Sequence, residues 1–201
     1  VLRETLIVAP LFGEESWGEE WKAGAGSSHD VISSFAATDQ LIMAMTDPNI
    51  FPNVREVVVA GHSAGGQFTQ RYAATSSIES QRPGLKYRYV VTNPSSYLYL
   101  NNQRPVNSNH DQSSVRFGTP RRCSSYNEYE YGLQDRNTYA SRLTADEIRA
   151  QYTRRYVVYL LGGDDDNMGD DDLDHSCEAD VQGAQRLARG AFHLRQHALP
   201  Q

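Results

Sequence analysis

A chain of 201 residues with 39% hydrophobic and 22% charged residues has an ordinary globular composition and the size of a single domain spanning residues 1–201. Its formal net charge of -6 argues against nucleic acid or an anionic membrane as the main partner. No apolar run approaches the roughly 18 residues that a membrane span needs, so the sequence predicts no such span.

The N-terminal quarter predicts a strand, a loop and a helix. An apolar run over 6–9, ended by a proline, indicates an interior strand. The loop that follows carries Trp17 and Trp21. Loops at the carboxyl ends of strands line the ligand crevice of open α/β sheets, so we expect both tryptophans to bind substrate, with simple loop packing as the alternative. Helical spacing of apolar residues then predicts a helix over 31–45, with Asp30 as its N-cap.

The most informative stretch, residues 61–65, reads G-H-S-A-G. The β-branched run over 57–60 predicts a strand buried on both faces of a parallel sheet, and a helical pattern follows from Ala64. A sharp turn between them leaves no room for a Cβ two residues before or after Ser63. The hydroxyl then projects from the sheet, and the Ala64 N–H can face a developing oxyanion. We predict a nucleophile elbow; a packing or phosphate-binding turn is the alternative.

The middle of the chain predicts a strand over 87–92 that ends in a polar and aromatic loop. We predict that Tyr97 of this loop binds substrate, as does His62 beside the nucleophile. Asparagine, serine, arginine and tyrosine dominate residues 101–138, which cannot form their own core. We interpret this segment as a lid or insertion over the crevice, with a cover for the sheet edge as the alternative.

The two cysteines, Cys123 and Cys177, are enough for one bridge. A disulfide would tie the polar segment to the loop after the last strand, and would indicate an oxidising, secretory location. Two free buried thiols are the alternative.

The last third predicts a helix that starts with a capping box at Thr144 and ends near Tyr152. A buried strand over 156–161 follows, then an acidic loop, then a helix over 178–198. Alternating strands and helices predict a mostly parallel sheet with right-handed crossovers.

A serine nucleophile needs a histidine to remove its proton and a carboxylate to orient that histidine. In elbow-type hydrolases the acid follows a strand downstream of the serine. We therefore assign the acid to Asp165, with Asp164 as second choice, in the loop after residue 161. A solvated loop or a calcium site is the alternative reading of this acidic tract.

The histidine is harder to assign. We expect it on a loop after one more strand, and none of the six histidines fits that position. His193 and His197 lie four apart on the predicted final helix, which favours a solvated helix end over a zinc pair. The remaining candidates lie in loops or beside the serine: His29, His62, His110 and His175.

These motifs resemble those of α/β-hydrolase fold proteins. More narrowly, the chain is similar to a subgroup with an A-G-H-S-A-G-G-Q elbow, an N-P-S-S-Y-L-Y loop, a Y-N-x-x-x-Y-G-L segment and a final S-C-x-A-x-x-Q-G-x-x-R-L-x-R-G helix. They stand here at 60–67, 93–99, 126–133 and 176–190. The resemblance implies Ser63 as nucleophile, Ala64 N–H as an oxyanion donor and Asp165 as the acid.

The resemblance also implies a second oxyanion donor before residue 1 and a catalytic histidine after residue 201. We therefore expect the chain to be part of a longer protein rather than a degenerate homologue, since four strands without their central neighbour would leave a raw sheet edge. The predicted activity is serine hydrolysis of an ester or related acyl bond in a small molecule, without cofactor or metal. The alternatives are an amidase or peptidase, and a non-catalytic binding or structural protein.

Overall fold

The computed structural model describes residues 5–12, 17–26, 32–106 and 115–198. After a 3-10 helix, Glu19–Ala23, the elements are α1 Ser34–Met45, β1 Glu56–His62, α2 Ala64–Thr75, α3 Ile78–Gln81, β2 Lys86–Thr92, β3 Arg104–Pro105, β4 Phe117–Gly118, a 3-10 turn Ala140–Arg142, α4 Ala145–Tyr152, β5 Val157–Leu160, α5 Cys177–Asp180 and α6 Arg186–Ala198. None of the helices in these described segments is long and apolar enough to cross a bilayer.

The main sheet has three parallel strands in the order β1-β2-β5. His62 pairs with Thr92, and Thr92 pairs with Leu160, so the three strands end at the same level. The residues that immediately follow each strand therefore meet at one edge of the sheet, where open α/β sheets carry their ligand sites.

The hydrophobic core lies on one face of this sheet. Tyr87, Tyr89 and Val91 alternate along β2 as buried residues, and α1, α2 and α4 pack against that face. On the opposite face, Val58 is 56% exposed and Leu160 is 50% exposed. The prediction that the 57–60 strand is buried on both faces is therefore wrong, because the helices that build the core all pack on the Tyr89 side.

The predicted strand over 6–9 is not in the sheet. These residues form no ladder, and Ile7 is 75% exposed. An apolar run specifies a strand only where a neighbour accepts its hydrogen bonds, and β1 pairs only with β2 among the described residues.

Helix α1 begins at Ser34 rather than at 31, because Ser33 Oγ accepts from the Phe35 and Ala36 amides at 3.1 and 3.3 Å. The predicted cap, Asp30, lies outside the described residues.

The predicted final helix is divided into α5 and α6. Gly183 interrupts it with a φ of 150°. The guanidinium of Arg189, fully buried, occupies the break and donates to the carbonyls of Gly183, Ser95 and Asp174 at 2.7 to 2.8 Å. In a continuous helix the Gly183 carbonyl would instead accept from the amide four residues later and would not be available to this buried arginine.

The predicted capping box at the start of α4 is confirmed. Thr144 Oγ1 accepts from the Glu147 amide at 3.2 Å, and Glu147 Oε2 accepts from the Thr144 amide at 2.7 Å. Thr144→Ala should lower the free energy of unfolding in urea by about 1 kcal/mol, because it removes the N-cap acceptor. The matched control is Thr153→Ala at the other end of α4, where the hydroxyl only donates to carbonyls. Equal losses in both variants would contradict the capping role.

Candidate active site

The turn between β1 and α2 holds Ser63 in an unusual conformation. Ser63 has φ 55° and ψ -119°, a region that residues other than glycine rarely adopt. Its amide donates to the Thr92 carbonyl at 3.0 Å, and its carbonyl accepts from the Gln67 amide at 3.0 Å. The end of β2 and the first turn of α2 therefore fix the serine, which is half-buried at the sheet edge.

Close backbone approach at this turn depends on two glycines. A Cβ on Gly61 would lie 2.0 Å from the Gly65 carbonyl oxygen, and one on Gly66 would lie 2.6 Å from the Thr92 carbonyl oxygen. A Cβ on Gly65 would meet nothing within 4 Å. The predicted crowding is thus confirmed at Gly61 and wrong at Gly65. Gly66 is the second crowded position, since it is the residue that faces β2.

Ala64 is the first residue of α2, a helix of 12 residues. Amides in the first turn of a helix have no intrahelical acceptor, and they lie at the positive end of the helix dipole. The Ala64 N–H lies at this end of the helix, adjacent to Ser63, and its role as an oxyanion donor remains a prediction.

Asn93 links the end of β2 to the end of β5. It follows β2 with φ 42°, and its amide donates to the Leu160 carbonyl at 3.1 Å. Its side-chain Oδ1 accepts from the Gly162 amide at 2.8 Å. Sequence reasoning missed this residue; an asparagine that ends a buried strand just before a proline was the signal available.

Asp165 differs from its two aspartate neighbours. It is half-buried, whereas Asp164 and Asp166 are exposed. Its Oδ1 lies 3.4 Å from Arg186 Nη1, and its carbonyl accepts from the Leu187 amide at 3.0 Å. Its own amide donates to the Gly162 carbonyl at 3.3 Å. The first turn of α6 and the end of β5 therefore hold this one aspartate of the tract.

The predicted tryptophans join an aromatic cluster beside α2. Trp21 stacks on Phe12 at 5.6 Å between ring centroids and lies 5.7 Å from Phe68. Trp17 meets Phe12 edge-on at 5.2 Å. Phe68 stands five residues after Ser63 on α2, so the cluster lies along the helix that follows the serine. Both tryptophans are half-buried, and substrate binding by them remains a prediction.

His62 and Tyr97, the other two residues predicted to bind substrate, lie in different environments. His62 is exposed at the end of β1. Tyr97 is fully buried, and its backbone amide and carbonyl both bond the side-chain amide of Gln182 at 2.8 Å. Burial raises the pKa of the Tyr97 hydroxyl well above its ordinary value. The ring stacks on His193 with centroids 4.5 Å apart, so it belongs to the interior.

His193 is fully buried, which corrects the prediction of a solvated helix end. Its Nε2 lies 3.2 Å from the Tyr159 hydroxyl. His175 is exposed in the acidic loop, with Nε2 3.4 Å from the Asp170 carbonyl. No histidine within the described segments hydrogen-bonds the Ser63 hydroxyl. His29, His110 and the side chain of His197 lie outside those segments.

The segment over 101–138 is fastened to the acidic loop. Cys123 and Cys177 form a disulfide. Nearby, Ser125 donates to Glu178, and the Tyr131 hydroxyl donates to Asp174 Oδ2 at 2.9 Å. Among the described residues, the one group of three metal-type ligands within 4.8 Å consists of these two bonded cysteines and Glu178.

Solved structures identify the fold. The LpqC poly(3-hydroxybutyrate) depolymerase from Bordetella parapertussis matches with a TM-score of 0.63 and 20% identity over 95% of this chain and 58% of that one. Poly(aspartic acid) hydrolase-1 from Sphingomonas sp. KT-1 matches with a TM-score of 0.54 and 23% identity over 86% and 53%. No family model and no curated protein matches the sequence. The chain has the α/β-hydrolase fold and spans just over half the length of each enzyme.

Proposed function

We propose that this chain carries the nucleophile, one oxyanion donor and the acid of a serine hydrolase: Ser63, Ala64 N–H and Asp165. The histidine base is supplied from outside the described residues. The observation that carries the proposal is the positive φ of Ser63, at a turn between a strand end and a helix start where Gly61 and Gly66 leave no space for a Cβ. A serine strained in this way at the carboxyl edge of an α/β-hydrolase sheet is the arrangement that exposes a nucleophile.

In the proposed reaction, Ser63 Oγ attacks the acyl carbonyl carbon while the histidine takes its proton. The Ala64 N–H, at the positive end of α2, stabilises the oxyanion of the tetrahedral intermediate. The imidazolium then protonates the leaving group, and an acyl-serine remains. Water, deprotonated by the same histidine, hydrolyses the acyl-serine and regenerates the hydroxyl. Asp165 orients the imidazole and stabilises its charged form.

The proposed substrate class is a carboxylic ester or related acyl compound. The two structural neighbours are named for poly(3-hydroxybutyrate), whose units are joined by esters, and for poly(aspartic acid), whose units are joined by amides. The same nucleophile serves both bonds, so amide hydrolysis is the second proposal. The aromatic cluster of Phe12, Trp17, Trp21 and Phe68 provides apolar surface near the serine-bearing helix for an acyl chain.

The test is labelling of the full-length protein with a fluorophosphonate probe, followed by peptide mapping. We expect label on Ser63 and none in Ser63→Ala, because the probe reacts only with a serine that a base activates. Ser80→Ala, a change at an exposed serine of α3, is the control and should label normally. Absence of label on a folded full-length protein would refute the hydrolase proposal and favour a non-catalytic binding role.

A further inference from the structure

We infer that Arg186 is a positioning residue that orients Asp165 toward the catalytic histidine. This inference rests on the proposed function, and it assigns to the start of α6 a role in the reaction. In this inference Arg186 acts through the Asp165 carboxylate.

The guanidinium of Arg186 is shared between two carboxylates. Its side chain is 8% exposed, and its Nη1 lies 2.6 Å from Asp170 Oδ2 and 3.4 Å from Asp165 Oδ1. A nearly buried guanidinium holds its position more firmly than a surface one, because it has few other rotamers and no competing water. It therefore restrains Asp165 through one carboxylate oxygen, Oδ1.

The second oxygen of Asp165 remains available for the imidazole. The hydrogen bonds of Asp165 within the described residues use its backbone amide, its carbonyl and Oδ1. Triad acids accept an imidazole N–H through one carboxylate oxygen while other groups hold the rest of the side chain. An arginine on Oδ1 thus leaves Oδ2 for the histidine.

The backbone of α6 adds a second restraint in the same turn. The Leu187 amide donates to the Asp165 carbonyl, so consecutive residues of α6 hold the side chain and the main chain of one aspartate. Asp164 and Asp166, which are exposed, have no bond of this kind to α6 among the described residues. The start of α6 therefore selects which aspartate of the acidic tract faces the site.

Asp170 competes for the same guanidinium. The hydrogen bond from Arg186 lowers the pKa of the Asp170 carboxyl below its ordinary value. The Tyr97 hydroxyl also interacts electrostatically with Asp165, and His175 interacts with Asp170; Asp164 and Asp166 adjoin Asp165 in sequence and are exposed. Removing the Asp170 charge should let Arg186 move closer to Asp165, whereas removing Arg186 takes away the cation that the two carboxylates share.

The test is the pH dependence of p-nitrophenyl butyrate hydrolysis by the full-length protein and its Arg186→Gln, Arg186→Lys and Asp170→Asn variants. Arg186→Gln should lower kcat by about tenfold to a hundredfold with little change in KM, because the base loses its orientation. The acidic limb of its kcat profile should move up by about one pH unit, since loss of a nearby cation favours the protonated base. Arg186→Lys should show smaller changes in kcat and in the acidic limb than Arg186→Gln, because lysine keeps the positive charge. Asp170→Asn should move the acidic limb to lower pH.

Each outcome decides the inference. A lower kcat in Arg186→Gln with an unmoved acidic limb would mean a purely structural role and would overturn it. If Arg186→Gln does not fold, the Asp170→Asn variant decides the test. An acidic limb of its kcat profile that stays in place or moves to higher pH would also overturn the inference. Fluorophosphonate labelling distinguishes failure of the proposed function from failure of this inference. An unlabelled wild type refutes the proposed hydrolase function. A labelled wild type whose variants keep the wild-type pH profile of kcat refutes only the role of Arg186.

Discussion

Gly61→Ala should prevent the chain from reaching its native structure, or cost more than about 4 kcal/mol of folding free energy. The added Cβ would lie 2.0 Å from the Gly65 carbonyl oxygen, 2.3 Å from its carbon and 2.8 Å from Thr69 Oγ1. Two of these atoms belong to the backbone of α2, which cannot rotate away as a flexible side chain could. Relief would require α2 to move off β1, which would break the contacts that fix Ser63.

Gly65→Ala provides the matched control within the same motif. Its Cβ would meet nothing within 4 Å, and Gly65 lies inside α2. Alanine should therefore raise the free energy of unfolding by about 0.5 to 1 kcal/mol, because glycine is the more costly residue in a helix. Urea denaturation followed by circular dichroism compares the two. Similar stabilities for both variants would contradict the close contact between β1 and α2.

Loss of the disulfide is the second change for which we expect a large effect on stability. Cys123 and Cys177 are 54 residues apart, and in the chain-entropy model closing such a loop stabilises the folded state by about 4 kcal/mol. We therefore expect the double variant Cys123→Ser/Cys177→Ser to lose most of that amount in urea denaturation under non-reducing conditions.

Ser125→Ala is the control for the disulfide, because it removes the adjacent hydrogen bond to Glu178 and leaves the bridge intact. It should lose only about 1 kcal/mol. A double variant no less stable than Ser125→Ala would show that the bridge adds nothing beyond the local contact. Addition of a reductant to the wild type should reproduce the loss seen in the double variant.

Local patterns in the sequence predicted most of the elements of the fold. The β-branched runs near Val58 and Val158, the helix after Ser63 and the capping box at Thr144 all depend on residues within one or two turns of each other. The one-sided burial of the sheet was not predictable in this way, since it depends on which helices pack on which face. At the break before α6, Arg189 reaches the Ser95 carbonyl 94 residues away, and no local pattern encodes that contact.

The residues of the candidate site were likewise only partly predictable from the sequence. Ser63, Ala64 and Asp165 follow from a short motif and from the position of a strand end, and their catalytic roles remain predictions. Asn93 and Arg186 were missed, because their contacts cross 69 and 21 residues of sequence. The burial of Tyr97 was also not predictable. The sequence of a polar loop does not show whether an aromatic residue faces solvent or is held in the interior by a glutamine that is distant in sequence.

The one-sided sheet has a consequence for the thermodynamics of the chain. The heat capacity change of unfolding follows the apolar surface that becomes hydrated, and the face bearing Val58 and Leu160 is already in contact with water in the folded state. Within the part of the chain that the structure describes, this face therefore adds little to the heat capacity change of unfolding, and most of that change comes from the Tyr89 face, where the core lies.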